Sequence, residues 1–214
     1  MPYLPIRFFK SHAVLTGRAT AREVFTSSGT TGSVPSRHFV RDLGWYEEFC
    51  QRGFAASYGP IDQYCVLALL PSYLERQGSS LVYMARQFIA HSLDEDSGFY
   101  LDEYEALHHL LLKKIKLGQK ELVMGVTFGL LDFAERYQLP PNHCIIMETG
   151  GMKGRRKEMT RAEVHRVLRA ALGVSHIHSE YGMTELLSQA YSRGAGRFSC
   201  SPWMRYYLPG QRSL

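Results

Sequence analysis

The sequence predicts an α/β fold, a largely parallel sheet covered by helices. Residues 64–70, Tyr-Cys-Val-Leu-Ala-Leu-Leu, form a continuous apolar run of strand length that ends at Pro71. That is the pattern of a strand buried on both faces. Stretches with a single apolar stripe at helical spacing follow it and alternate with further short apolar runs. Strand–helix alternation of this kind builds parallel strands joined by helical crossovers.

Glu23-Val24-Phe25 and His38-Phe39-Val40 read as short strands on either side of a polar loop. Residues 79–91 have helical spacing, with Leu81, Met84, Ala85 and Phe88 on one face. Residues 102–117 repeat the pattern with a stripe of Tyr104, Leu107, Leu111 and Ile115. Residues 121–126 read as a strand and 130–137 as the next helix. His143-Cys144-Ile145-Ile146-Met147 is a second buried strand. Thr160 and Glu163 have the spacing of a capping box, which opens a helix running to Leu172 with Gly173 as its stop. Residues 175–178 complete the series as a short strand.

Length and composition bound the function. The chain has 214 residues, 45% of them hydrophobic, enough for one large or two small domains with a buried core. Four widely spaced cysteines, Cys50, Cys65, Cys144 and Cys200, include no Cys-x-x-Cys pair. They predict a reduced, cytoplasmic protein without a zinc site or disulfide framework, and Cys200 reads as a small buried residue rather than a thiol acceptor. The first ten residues are broken by Pro2 and Pro5 and do not read as a signal peptide. No apolar run approaches the ~20 residues of a membrane span. Net charge is a modest +5, and no basic stripe interleaved with aromatics suggests nucleic acid. Lys113-Lys114-Ile115-Lys116 reads as a solvated helix end. Lys153-Gly154-Arg155-Arg156-Lys157 reads either as a solvated loop or as a patch that steers a triphosphate.

The chemistry is concentrated in Thr26-Ser27-Ser28-Gly29-Thr30-Thr31-Gly32-Ser33, a run of small, hydroxylated or glycine residues without charge. Glycines let backbone N–H groups converge, so such a loop suits an anion, and phosphate is the obvious guest. It is not a Walker A loop, which requires Gly-Lys-Ser/Thr, because Ser33 stands where the lysine belongs. Two further segments, Glu148-Thr149-Gly150-Gly151-Met152 and Ser179-Glu180-Tyr181-Gly182-Met183-Thr184-Glu185, each follow a predicted strand. Ligands of parallel sheets bind beyond the carboxyl ends of the strands, where these segments fall. His176 and His178 alternate on a strand, and without a third ligand at motif spacing the pair reads as structural. Taken alone, Tyr181 and Glu185 are an ordinary loop aromatic and a helix-start acid.

The ordered set of motifs resembles the adenylate-forming superfamily of acyl-CoA synthetases, luciferases and peptide-synthetase adenylation domains. Phe8-Phe9-Lys10-Ser11-His12, Ser36-Arg37-His38-Phe39, Gly151-Met152-Lys153-Gly154-Arg155-Arg156 and Met183-Thr184-Glu185-Leu186-Leu187-Ser188-Gln189 narrow the likeness to acyl-protein synthetases of the bacterial luciferase system. The phenylacetate–CoA ligase branch is next. The resemblance implies part of the large N-terminal domain of such enzymes. It implies an acid–thiol ligase that uses ATP and Mg2+ to activate a carboxylic acid, a fatty acid above all. The acyl group then passes to a thiol of a protein cysteine or of coenzyme A. By the same resemblance Ser27, Ser28, Gly29, Thr30, Thr31 and Gly32 hold the phosphates, and Gly150, Gly151 and Met152 pass along adenine. Tyr181 and Gly182 carry the adenine platform, Thr184 donates to the α-phosphate, Glu185 holds magnesium, and His178 neighbours the acyl site.

The chain departs from the family at the phosphate loop, where Arg37 stands near the missing lysine and takes over part of its charge in a different geometry. No acid follows Glu185, so neither the family's ribose-binding Asp nor its small C-terminal lid domain is expected. The 214 residues therefore read as a partial adenylation domain, inactive in isolation and prone to associate through uncovered apolar surface. The alternative is a non-catalytic nucleotide- or partner-binding remnant.

Overall fold

Side chains alternate between two cores along each central strand. In the computed structural model, which describes residues 4–28, 34–70, 78–150 and 159–205, Val66, Ala68 and Leu70 point to one core and Cys65, Leu67 and Leu69 to the other. All of them belong to or adjoin β3 (Cys65–Leu69). A strand buried on both faces cannot show polar–apolar alternation, which is why this segment reads as an unbroken apolar run.

β3 lies in a seven-stranded sheet with β4 (Gly98–Phe99), β5 (Glu121–Val126), β6 (Ile145–Thr149), β7 (His178–Tyr181), β8 (Ala190–Ser192) and β9 (Ser199–Cys200). The spatial order is β4-β3-β5-β6-β7-β8-β9. Contacts from β4 through β7 are parallel, and β8 and β9 add antiparallel neighbours. A separate antiparallel hairpin of β1 (Glu23–Thr26) and β2 (Arg37–Val40) packs Phe25 and Val40 into the first core. The architecture is α/β, as the sequence predicts.

The helices form two layers. α2 (Leu43–Tyr58) and α3 (Ser80–His91) cover one face, and α4 (Tyr104–Leu117), α5 (Thr127–Arg136) and α6 (Arg161–Leu172) the other. A short α1 (Phe8–Ser11) lies against β2. α3 begins at the Ser79 cap, and α6 carries the expected capping box, Thr160 with Glu163, and ends at Gly173. Each large apolar side chain buried in these layers contributes about 1.5–3 kcal/mol.

Several elements differ from the sequence-based reading. α2 was not anticipated: its buried Tyr46, Cys50, Gly53 and Phe54 have helical spacing, but Trp45 and Phe49 place aromatics on its other flank and blur the stripe. α5 starts at Thr127, directly after β5, rather than at residue 130, because its first turn is buried and carries no polar face. β6 runs to Thr149 instead of ending at Met147, while Asn142 accepts the Cys144 N–H and holds that residue before the strand. β7 lies at His178–Tyr181, not 175–178, in register Met147↔His178, Glu148↔Ser179 and Thr149↔Glu180. In both strands polar residues imitate a loop in sequence while lying buried in the sheet.

Lys114 is also a correction. It is not solvated but 4% exposed, and its Nζ donates to both Asp94 oxygens at 2.6 and 2.7 Å. Asp96 lies 2.9 Å away. Burial alone lowers the ammonium's pKa, but these carboxylates outweigh it and raise the value.

Candidate functional site

The hairpin neck is closed by reciprocal bonds. Ser27 N–H donates to the Ser36 carbonyl at 2.9 Å, and Ser36 N–H donates to Ser27 Oγ at 2.8 Å. Thr26 N–H donates to the Gly78 carbonyl at 2.7 Å, which ties the neck to the start of α3. His38 Nδ1 donates to the Thr184 carbonyl at 2.8 Å. Segments far apart in sequence are thereby brought together.

They surround a cavity of about 420 Å³ beyond the carboxyl ends of β6 and β7. Thr26, Ser27 and Ser28 come from the hairpin, Glu148, Thr149 and Gly150 from the end of β6, and residues 180–185 from the end of β7 and its loop. Ser79 and Ser80 add the amino end of α3. Of the residues the sequence singles out, Ser27, Ser28, Gly150, Tyr181, Gly182, Thr184 and Glu185 line this one cavity. Gly29, Thr30, Thr31, Gly32, Gly151 and Met152 lie outside the described residues. His178 stands elsewhere, at the amino end of β7, where Nδ1 lies 3.2 Å from Tyr58 Oη. Burial, with the nearby His176 and Arg193, pushes its pKa down to about 4, so His178 is neutral at pH 7.

Two glycines shape the cavity wall. Gly150 has φ +71°, a conformation costly for other residues, and it turns the chain at the end of β6. A Cβ on Gly182 would fall 2.5 Å from Glu180 Oε1. The missing side chain there leaves room for the carboxyl. Tyr181 stands beside it, edge-on to Phe198 at 6.1 Å between ring centres, and its hydroxyl donates to Met183 Sδ at 3.1 Å.

Several cavity residues escaped the sequence reading. Glu180 is buried, and burial pushes its carboxyl up to about 7, against the Thr149 hydroxyl that favours the charge and with the Glu148 carboxylate adding to the rise. Glu148 accepts from Thr127 Oγ1 at 3.1 Å, and Arg161 Nε lies 3.4 Å from its other oxygen. Arg161 also lies over the Phe198 ring at 5.1 Å. Among the described residues it is the one Lys or Arg in the cavity wall. Arg37, the expected substitute for the lysine, instead lies over Phe39 at 5.6 Å. Glu148 and Glu180 stand inside the two segments that follow the predicted strands, but only their burial marks them as site residues, and burial leaves no signal in the sequence.

The arrangement offers hydroxyl donors at one end, an aromatic at another, one cation and carboxylates, a set suited to a polar anionic ligand with an aromatic ring. Among the described residues no helix is long and apolar enough to cross a membrane, and no His, Cys, Asp and Glu side chains gather as a metal site by themselves. Compared with protein-family models and with curated proteins, the chain finds no match in either.

Proposed function

We propose that this chain is an adenylate-forming acid–thiol ligase, which activates a carboxylic acid with ATP and passes the acyl group to a thiol. One observation carries the reading. The hydroxyl-rich neck of the hairpin, the glycine after β6 and the Tyr-Gly-x-Thr-Glu segment after β7, far apart in sequence, line a single cavity.

A carboxylate is a poor electrophile until its oxygen becomes a good leaving group, and transfer to the α-phosphate of ATP accomplishes that. Catalysis of such a step is positioning and charge neutralisation. Ser27, Ser28 and the rest of the hairpin loop would hold the β- and γ-phosphates, Thr184 the α-phosphate, and Tyr181 the adenine face. Arg161 supplies positive charge to the wall. Magnesium needs only one or two carboxylates when substrate phosphates complete its shell, and Glu185 at the cavity supplies one. Bound there, the ion would neutralise phosphate charge. His178 takes no part in this reading.

The test is acid-dependent exchange of pyrophosphate into ATP, together with hydroxamate formation from a fatty acid, ATP and hydroxylamine. Both signals are expected from a complete enzyme of this kind. Nucleotide binding with neither signal favours the second reading, a non-catalytic nucleotide-binding protein. The specific observation behind that reading is the absence of the family's phosphate-loop lysine, where Ser36-Arg37 stand instead.

A further inference from the structure

Among the described residues the cavity wall holds one cation, fixed on two sides and open at its end. Arg161 is the first residue of α6, set in place by the capping box of Thr160 and Glu163. Its guanidinium faces Glu148 Oε1 through Nε at 3.4 Å, and Glu148 is 4% exposed. Its flat face lies over the Phe198 ring at 5.1 Å, and Phe198 meets Tyr181 edge-on at 6.1 Å. A guanidinium has five N–H groups, of which Nε carries one. The four on the Nη atoms find no acceptor among the described residues. The side chain is 50% exposed and lines the cavity, so a ligand can reach it.

We propose that the open end of the Arg161 guanidinium takes the phosphate chain beyond the adenylate, and that the site's preference for ATP over AMP depends on this contact. The inference rests on the nucleotide reading of the cavity. It gives a residue of α6 the charge that the family's phosphate loop draws from its own lysine, which this chain lacks. Arg37, nearer to that lysine's place in the sequence, lies over Phe39 and is not part of the cavity wall. A planar fork can pair with two phosphate oxygens at once, whereas an ammonium is a single point of charge. The Glu148 contact is made at Nε and leaves the end of the fork open. Together with Phe198 it holds the guanidinium in one pose, so little freedom is lost when an anion binds. The order of contacts also suits a nucleotide. Tyr181 offers a face for adenine, and the cation stands two ring contacts away, where a phosphate chain leads.

Calorimetric titration of the full chain with ATP, AMP and inorganic pyrophosphate, without divalent metal, tests this. Arg161→Met keeps much of the side-chain length and removes the charge. It should weaken ATP and pyrophosphate about 10- to 100-fold, the worth of hydrogen bonds to a charged group, and leave AMP within about twofold. Retained AMP binding and an unchanged circular dichroism spectrum show that the variant is folded. Arg161→Lys keeps the charge without the fork, and its affinity for ATP should lie between those of the wild type and Arg161→Met. Arg37→Met is the competing arm. Unchanged ATP affinity in Arg161→Met overturns the proposal, as does an equal loss for AMP in the folded variant. Wild-type ATP affinity in Arg161→Lys overturns it too, and so does a loss in Arg37→Met as large as that in Arg161→Met. Each of these results leaves the nucleotide reading standing, because ATP still binds the wild type. A chain that binds pyrophosphate through Arg161 but neither nucleotide supports the anion contact and overturns the nucleotide reading. A chain that binds none of the three overturns both.

Discussion

Glu180 and Glu185 carry the same functional group on one segment, and their surroundings assign them different work. Glu185 is partly exposed at the cavity and belongs to the proposed nucleotide chemistry. Glu185→Gln should lower acid-dependent pyrophosphate exchange by roughly 100-fold, the scale of metal-borne charge neutralisation, with an unchanged circular dichroism spectrum. Exchange at the wild-type rate would remove Glu185 from that role. Glu180 titrates from about 4.5 when unfolded to about 7 in the folded chain. Between those values the unfolded chain gives up a proton that the folded chain keeps, so stability falls as pH rises through this window and levels off above it. Glu180→Gln removes the dependence. It should match the wild type near pH 4 and exceed it near pH 8 by on the order of 1–3 kcal/mol in urea titrations. A constant difference across that range would mean that Glu180 is not held protonated by its surroundings.

At the scale of elements, the site depends on how helices and the hairpin are anchored. Thr160 caps α6 and so fixes where Arg161 begins, and Thr160→Ala should cost about 1 kcal/mol in denaturant unfolding. Loss of the His38 bond to Thr184 in His38→Leu should cost about the same, and should also weaken ATP binding, because the hairpin neck then loses its tie to the loop after β7. A variant that unfolds earlier but binds ATP unchanged would confine His38 to stability. These anchors also show what the sequence could reveal. Strands buried on both faces, such as β3 and β5, and capped amphipathic helices, such as α6, are legible because one physical pattern dominates each. The ends of β6 and β7 are not, since Glu148, Thr149, Ser179 and Glu180 are polar residues buried in interior strands. The same four residues explain why the motif glycines and Tyr181 were legible while the acids beneath them were not: motifs record spacing, and burial is decided by the tertiary fold. His178 lies outside this cavity wall because it is the first residue of β7, and the cavity lies beyond the strand's carboxyl end.

For the whole molecule, the sheet between its two helix layers places the cavity and an ionic network at opposite edges. The cavity occupies the carboxyl edge, while buried Lys114 and the half-buried Asp94 and Asp96 form an ionic network near Cys65, at the amino edge. Lys114→Ala should destabilise the fold by about 1–3 kcal/mol, because it leaves two half-buried carboxylates without their counter-ion. The loss should persist in high salt, since a buried pair is screened little. A loss below about 1 kcal/mol would class it with solvent-exposed pairs. A last consequence follows from the aromatic stack on α2. Both tryptophans of the chain flank Phe49: Trp45 at 5.5 Å, and Trp203 at 5.4 Å with its indole N–H on Ser188. Intrinsic emission is therefore a local optical gauge of one small patch, docked onto the loop that leads from Glu185 to Gln189. It reports undocking of the segment around Trp203 before it reports loss of the sheet, so emission and far-ultraviolet dichroism need not follow one melting curve.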